Sequence, residues 1–170
     1  MKTLTTLLVW APLMVFLTLI FQTGAAFSAD KEKEFEAICK MKPAELISRA
    51  KALLEKKYPN EDWEKYRFPN YVYLKEPATV AYMIAVKQVD LLANFHCYCF
   101  CEKFLGHKNL SWCMLKGGKL SNGFEPHGAG CNTCHYESMH ALLWNELGID
   151  IPRMQEAMKR IYDREENRMF

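Results

Sequence analysis

Residues 131–148 read CNTCHYESMHALLWNELG. Met139, Leu142, Leu143 and Leu147 recur at intervals of three and four, and Gly148 follows the last of them. This spacing predicts a helix that starts near Cys131, buries that face and stops at the glycine. Cys131 and Cys134 then share one face of its first turn, with β-carbons roughly 5 to 6 Å apart, close enough to converge on one atom or to oxidise to a disulfide. A helix N-terminus favours thiolate over thiol, which helps either outcome. Glu137, near the helix start, reads as a surface residue that complements the helix dipole, and His140 as a surface or satisfied histidine.

The pattern continues on both sides. Downstream, Asp150 is placed to cap a last helix with Ile151, Met154, Met158 and Ile161 on one side, which ends in the charged residues 163–168. Upstream, Pro77 opens a helical pattern in which Ala78, Tyr82, Ala85, Val86, Val89 and Leu92 share a face, ending just before the cysteines. Further upstream, Pro43 precedes Leu46, Ile47, Ala50, Leu53 and Leu54 at helical spacing, until Lys56, Lys57, Tyr58 and Pro59 stop the pattern. Between 60 and 76 the order is aromatic and irregular; Trp63, Tyr66, Phe68, Tyr71 and Tyr73 read as core cover, since no basic stripe accompanies them. The expected fold is therefore mainly α: a small helical domain with a cysteine-rich loop and helix cluster. Residues 27–76 form a helical and aromatic lead-in, and 77–170 the cysteine-rich part.

A signal segment is expected ahead of it. Lys2, the apolar run Leu7–Phe21 and the small residues Thr23-Gly24-Ala25-Ala26 follow the order of a secretory signal, with cleavage after Ala26 or retention as an N-terminal anchor. The expected location is exported: periplasmic, cell-surface, extracellular or N-terminally anchored. With 22 basic against 20 acidic residues in 170, the charge gives no footprint for nucleic acid or for specific lipid, and no protein partner is indicated.

The cysteines carry the functional signal. Six of the seven, Cys97, Cys99, Cys101, Cys113, Cys131 and Cys134, fall within positions 97–134, interleaved with His107 and His127. Cys39 stands apart, as a small core residue or as the thiol of a disulfide-bridged dimer. In an extended strand, alternate residues lie roughly 6.6 Å apart. Two thiolates on one zinc must sit near 4 Å, so the triplet Cys97, Cys99 and Cys101 predicts a bend.

Four readings compete. In the first, the six cysteines converge, with His107 and His127 as further ligands, on a soft metal or redox centre: Zn²⁺, Cu⁺ or an iron–sulfur unit. In the second they form structural disulfides, each worth about 2 to 4 kcal/mol. The third takes Cys131, Cys134 and His135 as a c-type haem attachment site, with both thiols in thioether bonds and His135 as axial ligand. The fourth is thiol–disulfide exchange through Cys131 and Cys134, or through two of the triplet Cys97, Cys99 and Cys101, as attacking and resolving thiols. Apart from such thiol chemistry no catalytic residue stands out, since neither a Ser-His-Asp nor a paired-carboxylate pattern is present; the sequence leans away from an enzyme. The first reading explains the density of cysteines best.

At Cys97-Tyr98-Cys99-Phe100-Cys101 the chain resembles the exported bacterial CYCXC family of (seleno)proteins, close to the PCYCGC-motif proteins. The likeness runs on through His107-Lys108-Asn109-Leu110 and Cys113 to His127, Cys131 and Cys134. His96 stands where the PCYCGC motif has proline, and Phe100 where it has glycine. The resemblance implies an exported, mainly helical domain of undetermined activity; some relatives are described as selenoproteins, which suits redox or soft-metal chemistry. It implies no substrate.

Overall fold

In a computed structural model, residues 29–163 are described; the expected signal segment and the charged end of the last helix beyond Asp163 lie outside them. Residues 29–39 are helical (α1), and the boundary between two compact units falls inside this helix, between Ala37 and Ile38. The second unit is mainly helical. Helix α2 spans Pro43–Lys57, with proline in its first turn, Lys56 and Lys57 in its last, and Leu46, Ala50 and Leu54 buried along one stripe. Two short 3₁₀ turns, Glu64–Tyr66 and Asn70–Leu74, carry the aromatic segment. Its rings pass contact from Tyr66 to Phe68 and on to Phe124, 5.1 Å between the last two centroids, covering the core as the composition suggested.

The helix expected from Pro77 to Leu92 is divided. Helix α3 spans Glu76–Lys87 and α4 only Val89–Leu92. Gln88 leaves helical geometry at φ −134° and donates from its side chain to the Tyr58 hydroxyl at 2.8 Å. Three short helices follow: α5 (Cys101–Leu105), α6 (Leu110–Met114) and α7 (His127–Gly130). Between α6 and α7, Leu115 and Phe124 form an isolated β-bridge that closes the Lys116–Asn122 loop.

Helix α8 (Asn132–Glu146) is the centre of the unit and packs mainly on α3 and α2. The expected apolar face is there, but the helix is buried on nearly all sides, from Cys134 through His135 and Glu137–Trp144. The surface role assigned to Glu137 is thereby corrected: it is 0 % exposed. A helix can be buried all round only if its polar side chains find partners inside. Ser138 donates to the Cys134 carbonyl at 2.8 Å, and Glu137 Oε1 accepts the Tyr98 backbone N–H at 2.8 Å. Gly148, at φ 67°, ends the helix in the left-handed conformation that glycine adopts without strain. Helix α9 (Ile151–Tyr162) then starts on Asp150, whose carboxylate accepts the Arg153 N–H at 3.0 Å, and buries Met154, Ala157, Met158 and Tyr162.

His140 is satisfied and buried. The Ile38 carbonyl can only accept, so Nε2 donates to it at 3.1 Å, and Nδ1 accepts from the Tyr162 hydroxyl at 2.6 Å. Burial holds the imidazole down at about 4, against an ordinary 6.5. The native state therefore keeps His140 neutral where the unfolded chain takes up a proton. Its contribution is fully present above about pH 6.5 and is lost as the pH falls towards 4. Across that window His140 adds up to about 1.4 kcal/mol per pH unit of acid destabilisation. Urea denaturation from pH 7 to pH 4.5 should show His140→Gln losing that share of the slope; equal slopes would contradict the assignment.

Candidate metal centre

Five segments deliver the sulfur and imidazole donors. Cys97 and Cys99 lie on the loop after α4, and Cys101 opens α5. His107 follows Gly106, which ends α5 at φ 69°. Cys113 sits on α6, and His127 opens α7. Cys131 is the N-cap residue of α8, its sulfur accepting the Cys134 N–H at 3.5 Å, so the sulfur does what a serine hydroxyl does elsewhere.

The bend required of the triplet is made at Phe100, whose φ of 62° lies in the left-handed region. A side chain costs about 1 kcal/mol there relative to glycine. Part of this is offset by the half-buried ring, which lies under the Lys103 ammonium at 5.2 Å. Phe100→Gly is expected to leave the cluster assembled and to raise stability by at most about 1 kcal/mol. Thermal denaturation and metal content of the variant check this; a lost centre would contradict it.

The sulfurs do meet. Cys97 Sγ lies 3.2 Å from Cys99 Sγ and 3.4 Å from Cys134 Sγ, and Cys134 Sγ is 3.6 Å from Cys99 Sγ. Cys101 and Cys113 sulfurs are 3.4 Å apart, and His127 Nε2 is 3.5 Å from Cys99 Sγ. Three four-donor groups result, in each of which the ligand atoms lie within 4.8 Å of one another: Cys97/Cys99/Cys101/Cys113, Cys99/His127/Cys131/Cys134 and Cys101/His107/Cys113/His127. The alternating triplet and the later pair thus share a common pocket.

The pocket is held from outside by hydrogen bonds the sequence pattern does not reveal. Glu137 fixes the triplet loop to α8 through Tyr98 N–H. The Phe95 carbonyl accepts the Leu110 N–H at 2.8 Å, which holds α6 against the same loop. The Tyr82 hydroxyl donates to the Glu125 carbonyl, tying the start of α7 to α3. Gly128 lets α7 approach α6: a β-carbon there would meet the Cys113 carbonyl and lie 2.8 Å from Met114 Sδ.

Protons are unevenly divided among the donors. Hydrogen bonds from Cys101 and Cys113 hold the Cys99 thiol far down, and one from Cys113 holds Cys101 at about 5. Hydrogen bonding to Cys101 pushes Cys113 up, that to Cys101 and Cys113 pushes Cys97 up, and burial pushes Cys134 up. Hydrogen bonds to Cys101, Cys131 and Cys99 raise His127 to about 12. The directions favour thiolate at Cys99 and Cys101, a proton on His127, and neutral thiols at Cys97, Cys113 and Cys134. Glu137, kept protonated by burial, adds no charge beside it.

Two further histidines are placed differently. His107 is 7 % exposed, its Nδ1 is buried with no hydrogen-bond partner, and a ring nitrogen lies within 4.8 Å of the Cys101 and Cys113 sulfurs. An unpaired buried imidazole nitrogen is costly unless something binds it, and this ring stands among sulfur donors. His135 does not join the cluster. Its ring is fully buried and bonded through Nε2 to the Gly128 carbonyl at 2.5 Å. Haem attached at Cys131 and Cys134 would have to pull Cys134 from between Cys97 and Cys99 and free His135 from Gly128, so these residues do not fit haem as they stand. None of the seven cysteines is bridged in this structure, and the close sulfur pairs stand at 3.2 to 3.6 Å, beyond the roughly 2.05 Å of a disulfide. Cys39 lies outside the cluster, with its sulfur 3.6 Å from Arg160 Nη2.

The fold and the pocket together define a helical protein built around a cysteine–histidine cluster with the donor set of a soft metal. The chain belongs to the family described as proteins of unknown function with PCYCGC motif, whose model matches residues 63–165, reaching back through the aromatic segment to Trp63. No curated protein and no solved structure matches it.

Proposed function

We propose that this chain is an exported metal-binding module that holds a soft cation in its cysteine–histidine cluster. The observation that carries the reading is the convergence of six sulfurs and two imidazoles, from five segments, into groups whose donors lie within 4.8 Å. Tetrahedral zinc–thiolate geometry needs sulfurs about 3.8 Å apart, a small adjustment from the distances present. Thiolate and imidazole suit Zn²⁺, Cu⁺ or an iron–sulfur unit, whereas Ca²⁺ and Mg²⁺ require oxygen donors. Cys97, Cys99, Cys101, Cys113, Cys131 and Cys134 supply thiolates, and His107 and His127 neutral imidazoles. Thiols and an imidazolium must lose their protons to bind a cation, so uptake is coupled to proton release. The apolar N-terminal run followed by small residues supports export.

Elemental analysis of protein produced without oxidant tests the reading. Replacing Cys99 and Cys101 together by serine should lower bound metal several-fold, because both belong to two of the three donor groups. Unchanged metal content would overturn it.

A further inference from the structure

We propose that the cluster holds at least two soft cations that share the Cys99 thiolate, one enclosed and the other reached from solvent. This rests on the metal-binding reading above and adds to it number and accessibility.

Number follows from the donors. The groups Cys97/Cys99/Cys101/Cys113 and Cys99/His127/Cys131/Cys134 are each complete for a four-coordinate ion, and they have only Cys99 in common. A single ion in either group leaves three donors of the other unused, although they stand close enough together to hold an ion of their own. Two ions bridged by Cys99 use all seven. His107, whose Nδ1 is buried and unpartnered, offers a ring nitrogen within 4.8 Å of the Cys101, Cys113 and His127 donors as an eighth ligand.

Accessibility follows from burial. Besides the shared Cys99, the first group consists of Cys97, Cys101 and Cys113, which are 4 %, 3 % and 0 % exposed. In the second, Cys99, His127 and Cys131 are half-buried, and these three line a partly open cavity of about 560 Å³ next to Gly130. The inner ion is therefore closed off, as in a structural site. The outer one faces a cavity through which a chelator, a reductant or an acceptor thiol can reach it.

The experiment uses the reduced full chain, titrated with Zn²⁺ and followed by native mass spectrometry and by transfer to a chromogenic chelator. Two Zn²⁺ per chain are expected, one leaving at least about tenfold faster than the other, a difference of about 1.4 kcal/mol in barrier. Cys131→Ser and, separately, His127→Ala should each remove the fast phase and keep the slow one. With Co²⁺ in place of Zn²⁺, the paramagnetic signal per ion should fall as the second equivalent binds, since a shared sulfur couples the two spins. One Zn²⁺ per chain at saturation, or two that leave together and are both lost in the variants, would overturn the inference while leaving metal binding intact. No bound Zn²⁺ and no bound Co²⁺ would overturn both.

Discussion

Replacing Gly128 by alanine is expected to strip the protein of most of its metal and to destabilise it by about 3 kcal/mol, the upper range for overpacking a tight contact. The added β-carbon would meet the Cys113 carbonyl, and would lie 3.0 Å from the Cys113 carbonyl carbon and 2.8 Å from Met114 Sδ. Two of these are backbone atoms of α6, so no side-chain rotation relieves the clash; α7 must move away from α6. That movement separates His127 and Cys131 on one side from Cys113 on the other, and it breaks the bond from His135 to the Gly128 carbonyl. Gly130, in the same short helix, is the control: a β-carbon there meets nothing within 4 Å. Gly130→Ala should resemble the unaltered protein in urea denaturation and in metal content. If the two variants behave alike, the close approach at Gly128 is not what assembles the pocket.

Removing the metal from the loaded protein with a chelator, under reducing conditions, is expected to cost stability on the order of 10 kcal/mol. The size follows from how little else holds the donor segments. Helices α5, α6 and α7 have five, five and four residues, far below the length at which a helix persists by itself. They are ordered by what they pack against, and each carries one donor of the cluster, Cys101, Cys113 and His127 in turn. The loss should therefore be local as well as global. Hydrogen exchange should quicken most over residues 97–131, while α2, α3 and the middle of α8, packed on one another through Leu46, Ala50, Leu54, Tyr82, Ile84 and Leu142, stay protected. Identical exchange with and without metal would contradict the account.

Much of the fold was legible because it is periodic. Pro43, the stripe Leu46, Ala50 and Leu54, and the cap at Asp150 are local signals, and the structure places them as read. The break at Gln88 carries no such signal, because it involves Tyr58, thirty residues away. Helix α8 shows the same limit from another side: its apolar face was visible, but its complete burial depends on Tyr98 for Glu137, Gly128 for His135, and Ile38 and Tyr162 for His140. None of these is a neighbour in sequence, so each polar residue read in isolation looks like surface or like a ligand. His135 is the clearest case. Its position after Cys134 suggested an axial ligand, while its real partner is a carbonyl one turn ahead of the helix. The site itself was readable as density: cysteines that crowd into forty positions of a small helical domain need a common reason, and the required bend of the triplet pointed to the turn at Phe100. What density could not supply was how the donors divide into groups, which depends on α6 and α7 meeting at Gly128.

X-ray absorption at the edge of the bound metal, on the reduced full chain loaded with Zn²⁺, tests the central claim most directly. The account predicts a first shell dominated by sulfur at about 2.3 Å, with a minor nitrogen contribution near 2.0 Å from imidazole. A shell of oxygen and nitrogen alone would show that the metal sits elsewhere, and would contradict it.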